Sequence, residues 1–180
     1  MFADEKPMKE KDVFSKVRRD PRNGIVRPIA CNPNSRNRYN ILAAVTVKGD
    51  KACEALLLES TADSHLFFAF VNHLIRIKFL IPGDIFVVDN CSIHMNGENR
   101  DLQELLQEKC NITMIGLPPY HPEFNPTEYV FNYVTQIMRS TAMRSTAFTT
   151  EEFEQKLINV LNTIPYSFVL KTYRKMGYCV

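Results

Sequence analysis

Two short apolar runs, each followed by an acid, constrain this chain more than any other feature. Ile85-Phe86-Val87-Val88 leads into Asp89-Asn90-Cys91-Ser92-Ile93-His94. Ile112 to Leu117 leads into Pro118-Pro119-Tyr120-His121-Pro122-Glu123-Phe124-Asn125-Pro126-Thr127-Glu128. Short, largely apolar runs of this length, bounded by turn formers, predict buried strands. Such strands need helices above and below them, joined by crossover connections. Prolines 118, 119, 122 and 126 hold an extended connection, with Pro126 suited to the first position of a helix. Asp89 therefore stands just past one strand, and Glu128 on the first turn of the helix that follows the other.

The remaining pattern fills in an α/β domain. Gly24 to Ala30 and Tyr39 to Val47 are rich in Ile and Val and predict two strands. Lys48-Gly49-Asp50-Lys51 turns into a third, Ala52 to Leu58, which makes an antiparallel meander. Ser64 is placed to cap a helix from His65 to about Phe79. A second helix is expected from about Arg100 to Lys109, with Leu102, Leu105 and Leu106 on its buried face. The helix after Pro126 runs to about Arg139 and buries Val130, Phe131, Val134 and Ile137. Thr149-x-x-Glu152 is a capping box for a helix to about Asn162, and a last helix covers Ser167 to Lys175. Strands first, then alternating helix and strand, then helices, describe a mixed sheet flanked by helices.

At 180 residues the chain reads as one domain, and its 45% apolar and 23% charged content is ordinary for a globular protein. No run approaches the roughly 18 apolar residues of a membrane span. Residues 1–11 are charged and unlike a secretory signal. The 5 cysteines are scattered, with no Cys-x-x-Cys pair, and read as reduced thiols of an intracellular protein. Charge is uneven: residues 1–51 hold 12 Lys and Arg against 6 Asp and Glu, the remainder 10 against 14. Lys16, Arg18, Arg19, Arg22, Arg27, Arg36 and Arg38 are either a solvated face or a surface for a polyanion.

Carboxylates gathered at strand ends suit a magnesium or manganese site, since both ions take hard oxygen ligands. Two such ions, about 3.5–4 Å apart, stabilise the attacking and leaving oxygens of a displacement at phosphorus. Asp4, Asp89 and Glu128 can form that set if the fold brings them together. Singly, each has an ordinary explanation: Asp89 as a turn former, Glu128 as a complement to the helix dipole, Asp4 as a solvated charge. A doubly wound nucleotide-binding domain also fits the alternating elements, but no Gly-rich loop follows a strand.

Asp89-Asn90-x-Ser92-Ile93-His94 and Leu117-Pro118-Pro119-Tyr120-x-Pro122-x-x-Asn125-Pro126-x-Glu128 closely resemble the DDE domain of Tc1/mariner-type (IS630-like) transposases. Asp4-Glu5, Arg22-Asn23-Gly24 and Arg36-Asn37-Arg38-Tyr39 fit the same pattern. The resemblance covers about Phe2 to Arg139 and, more weakly, the C-terminal helices. It implies a ribonuclease H-like fold with Asp4, Asp89 and Glu128 as a catalytic triad holding two Mg²⁺ or Mn²⁺ ions. It further implies cleavage of DNA and strand transfer between transposon ends and target DNA, without a covalent protein–DNA intermediate. A homodimer and, in a eukaryote, a nuclear location would accompany that role.

Four more residues belong to the expected site. Asn90 is read as a partner that orients Asp89. His94 stands open between touching a DNA phosphate or water and closing its own loop. Tyr120 is expected to pack, with its hydroxyl within reach of substrate. Asn125 is expected to cap the helix bearing Glu128.

The departures from the family pattern are specific. Asp89 and Glu128 are separated by 38 residues, a few more than usual, with the excess around residues 95–99. His121 replaces a common serine and Phe131 a common tryptophan. Three residues precede Asp4, so the first strand reads as truncated. Residues 1–180 read as a single catalytic domain, without the helix-turn-helix DNA-binding region of the transposases it resembles. Two functions follow: a competent metal-dependent endonuclease, or a domesticated or relic domain that binds nucleic acid or protein without cutting.

Overall fold

Ile, Val, Leu and aromatic residues between turn formers make most of the strands in this chain, and the central strand breaks that rule. The computed structural model describes residues 1–9, 13, 18–19, 26–27, 38–59, 62–89, 98–142 and 149–179. Its strands are β1 (Phe2–Lys9), β2 (Arg18–Arg19), β3 (Val26–Arg27), β4 (Arg38–Val45), β5 (Cys53–Leu58), β6 (Ile85–Val88) and β7 (Thr113–Gly116). Its helices are α1 (Ser64–Arg76), α2 (Glu98–Cys110), α3 (Pro126–Ala142), α4 (Thr150–Asn162) and α5 (Tyr166–Lys175), with a 3₁₀ turn at Pro122–Phe124.

Five strands form one mixed sheet in the order β5-β4-β1-β6-β7. β1 runs antiparallel to β4 from Phe2 opposite Val45 to Lys9 opposite Arg38. On its other edge it runs parallel to β6, pairing Phe2 with Val87 and Ala3 with Val88. β6 and β7 continue the parallel half, and β4 and β5 complete the antiparallel half. The expected mixed sheet with flanking helices is therefore the observed one.

The side-chain alternation of the strands splits the core into two layers. Phe2, Met8, Ile41, Ala43 and Val45 pack with Val130, Phe131 and Val134 of α3 and with residues of α4 and α5. Ala3, Leu42, Ala44, Phe86 and Val88 pack on the opposite face against Phe67, Phe70 and Leu74 of α1 and Leu102 and Leu106 of α2. Asp4 follows Phe2 by two residues, so it faces the α3 layer. The buried Tyr173 closes that layer by donating its hydroxyl to the Val45 carbonyl at 2.9 Å.

Several local expectations shift. On the edge of β4 away from β5 the antiparallel partner is β1, while the described part of the stretch 24–30, Val26–Arg27, pairs with Arg18–Arg19 in a separate ribbon. β1 is short only ahead of Asp4, where two of its residues pair with β6; beyond Asp4 it continues along β4 to Lys9. Asp63, not Ser64, caps α1, its carboxylate accepting from the Leu66 N–H at 2.9 Å. The Thr149–Glu152 capping box forms as read. Gly49 takes a φ of +71° in the β4–β5 turn, a conformation that an L side chain rarely adopts. Cys53, Cys110 and Cys179 are free thiols. Among the described residues, no helix is long and apolar enough to cross a membrane.

Leu105 is 39% exposed, whereas Leu106 is fully buried, because the sheet covers a narrower stripe of α2 than the leucine spacing suggested. Leu106→Ala should cost about 2–5 kcal/mol in urea unfolding, and Leu105→Ala about 0.5 kcal/mol.

A second prediction concerns alkaline pH. Burial, reinforced by the Glu54 carboxylate, pushes the Cys53 thiol up to about 12. An unfolded cysteine titrates near about 8.5. The folded chain then holds this proton more tightly, so the contribution is full below about pH 8.5 and is lost as pH rises toward 12. Urea unfolding between about pH 8 and about pH 10.5 should show stability falling with pH, less steeply in Cys53→Ala.

Candidate active site

Parallel pairing fixes the first half of the site. Ala3 stands opposite Val88, the last residue of β6, so Asp4 on β1 and Asp89, one residue past the end of β6, each follow directly on the last parallel pair. Strand neighbours are about 4.8 Å apart. Asp89 also continues the side of Val87, which packs in the α3 layer with Phe2. The two carboxylates therefore share one face of the sheet. The Leu117 N–H, bonded to the Val88 carbonyl at 2.7 Å, starts the proline-held connection beside them.

The start of α3 supplies the rest. Asn125 caps it: its Oδ1 accepts from the Thr127 N–H at 3.2 Å, and its carbonyl from the Glu128 N–H at 3.2 Å. Pro126 takes the first helical position, where its missing N–H costs nothing. The same cap reaches the sheet, because Asn125 Nδ2 donates to Asp4 Oδ2 at 2.8 Å and Thr127 Oγ1 to the same oxygen at 3.3 Å. Asp4 Oδ1 accepts from the Glu5 N–H at 2.7 Å. Asp4 is only 6% exposed, and these donors offset the desolvation of its charge. With the helix start tied to Asp4, Glu128 one residue further overhangs β1. Its Oε2 lies 3.0 Å from the Lys6 ammonium.

Asp4, Asp89 and Glu128 line one cleft of about 670 Å³ whose other wall is the connection from Leu117 to Pro122. Tyr120 stands at the mouth, 98% exposed and with a φ of +62°. The expectation that its ring packs is thus overturned: the left-handed backbone after two prolines turns it out to solvent. His121 Nδ1 lies 2.8 Å from Glu123 Oε1, and that contact holds the Glu123 carboxyl below its ordinary range. Tyr178 steadies this wall by donating its hydroxyl to the Phe124 carbonyl at 2.8 Å.

The donors are oxygen-only carboxylates, which fits a hard divalent cation. Among the described residues, however, no three His, Cys, Asp or Glu side chains converge closely enough to grip one ion. Glu128 is drawn to Lys6, an interaction that also offsets part of the repulsion among three negative charges. Asp4, Asp89 and Glu128 are the carboxylates of this cleft that could serve as ligands to such a cation.

Asn125 thus does more than cap, and Lys6 and Thr127 join the site unanticipated. Lys6 could have been found from its two-residue spacing from Asp4 on a strand; Thr127 had no signal beyond its place in a helix cap. Arg18, Arg19 and Arg38 lie on β2 and β4, with only their backbone described. Lys16, Arg36, Asn90 and His94 lie outside the described residues.

The family model described as DDE superfamily endonuclease matches residues 1–149. A search of curated proteins by sequence found no match. Among solved structures, the pre-cleavage Mos1 transpososome is similar at 18% identity and a TM-score of 0.67, covering 97% of this chain and 52% of that one. The mariner Mos1 paired end complex with Mg is similar at 19% identity and a TM-score of 0.61, covering 97% and 51%. The catalytic domain of Mos1 mariner transposase is similar at 17% identity and a TM-score of 0.62, covering 97% of this chain and 75% of that domain. The chain spans about half the length of the longer Mos1 chains. From its family match and its sheet, this chain belongs to the DDE superfamily endonucleases and has the ribonuclease H-like fold of the mariner transposase catalytic domain.

Proposed function

We propose that this chain is the catalytic domain of a Tc1/mariner-type transposase, cutting DNA phosphodiesters and joining the freed end to target DNA. The observation that carries the reading is that Asp4 and Asp89, each next after the last pair of the parallel strands β1 and β6, line one cleft with Glu128. The reaction is attack by water on a phosphodiester, followed by attack of the released 3′-hydroxyl on target DNA. Asp4, Asp89 and Glu128 would hold two Mg²⁺ or Mn²⁺ ions. When bound, such ions supply activation of the attacking oxygen and stabilisation of the leaving one.

The protein's own part is preorganisation. Asn125 and Thr127 fix one Asp4 oxygen and the Glu5 N–H the other, which leaves little freedom in that carboxylate. The capped start of α3 delivers Glu128. Tyr120 offers an exposed aromatic face at the cleft mouth, suited to stacking on a base. Asn90 and His94 follow Asp89 closely enough in sequence to serve the same cleft. Mos1, solved with a transposon end and with Mg, supports DNA as the substrate and magnesium as the cofactor. A homodimer on two transposon ends, and a nuclear location in a eukaryote, accompany this reading.

Purified protein with Mn²⁺ should nick supercoiled plasmid, and Asp89→Ala should slow nicking on the order of 100-fold, since even partners of metal ligands cost about 10–100-fold. Equal nicking by the two proteins would overturn the reading. DNA binding without any nicking would favour the relic domain instead, the reading to which the Lys6–Glu128 pair lends weight.

Lys16, Arg18, Arg19, Arg36 and Arg38 are proposed to track the DNA backbone. Replacing Arg18 and Arg19 with Ala should weaken binding to any duplex sequence alike. The log–log salt slope should become shallower by about 1–2.

A further inference from the structure

Lys6 lies two residues beyond Asp4 on β1, so the pleat places both side chains on the α3 side, between Phe2 and Met8. α3 meets them in register. Asn125 and Thr127 bind Asp4, while Glu128 lies 3.0 Å from the Lys6 ammonium. That ammonium also stands 6.0 Å from the centre of the Phe131 ring, one turn further along the helix. The Lys6 and Glu128 side chains are 37% and 30% exposed, and a pair so wetted adds little to stability. Its importance lies in which carboxylate it takes.

We propose that Lys6 is a built-in counter-cation of the site, which holds Glu128 against β1 and competes with a divalent ion for that carboxylate. This rests on the metal-dependent reading above and adds to it an order of assembly. Asp4 and Asp89 follow directly on the last pair of β1 and β6 and line one cleft, and Asp4 is clamped by its own hydrogen bonds. The strand carboxylates thus offer an ion a prepared half-site. The Glu128 side becomes available only as the ammonium gives way. Two ions would therefore bind with unequal affinity, and the charge on Lys6 would set much of the gap.

The test is Mn²⁺ titration by calorimetry and by the electron paramagnetic resonance of the free ion. Lys6→Met is the informative variant, because it keeps an unbranched stem against Phe131 and removes the charge. It should tighten the weaker Mn²⁺ step about fivefold, the scale of one partly exposed ion pair. That gain should disappear in a Glu128→Gln background, and Lys9→Met should show none of it. Unchanged or weaker Mn²⁺ binding in a folded Lys6→Met protein would overturn the proposal and leave Lys6 as a brace for α3. If Mn²⁺ binding proves independent of Asp89 in the unaltered protein, the metal-dependent reading itself falls, and this inference with it.

Discussion

The carboxylate of Asp4 ties the centre of the sheet to the first turn of α3, and the rest of the site depends on that tie. A buried charge is tolerated only when protein dipoles replace its lost water. Here the replacements come from two directions. The strand's own Glu5 N–H reaches one oxygen, and the Asn125 amide and Thr127 hydroxyl reach the other. Because Asn125 is also the helix cap, satisfying Asp4 and starting α3 are one event.

That economy explains the order in which the site is built. β4 holds β1 along its whole length, while β6 grips it only at Phe2 and Ala3. Past Ala3, β1 is therefore flanked among the described strands by β4 alone. Asp4 occupies the step at which the parallel neighbour ends and Asp89 leaves the sheet. The sheet opens there, and the proline-held wall from Leu117 onward encloses the opening. Apolar layers above and below make the strands rigid, so the polar cluster need not supply stability to be precise in position.

Where the sequence was readable, short-range rules decided the structure. β6 spans Ile85–Val88 as read, because a run of β-branched and aromatic residues between turns has few alternatives. Pro126 opens α3 and Thr149 caps α4, since the chemistry of a helix start is local. β1 was hard to read for the opposite reason. Phe2-Ala3-Asp4-Glu5-Lys6-Pro7-Met8-Lys9 has neither the composition nor the clean alternation of a central strand. Pro7 argues against a strand ladder on both sides, and it falls in the stretch that has no β6 partner. Tertiary pairing with β4, not local propensity, makes this segment a strand.

The same distinction separates the acids from their helpers. Asp89 and Glu128 are legible because each closes a local pattern. Lys6 and Thr127 reach the acids through partners 122 and 123 residues away in sequence; local pattern gives their places, two residues past Asp4 and inside a helix cap, but not those partners. Lys6 is informative in another way. On a polar strand its charge looks like one more solubilising residue, yet the pleat and the docking of α3 bring it to Glu128. The clustering of like charges needed for a metal site makes a nearby cation favourable in the folded chain. A lysine in that position offsets the repulsion while the carboxylates wait, and its release is the natural counterpart of loading them.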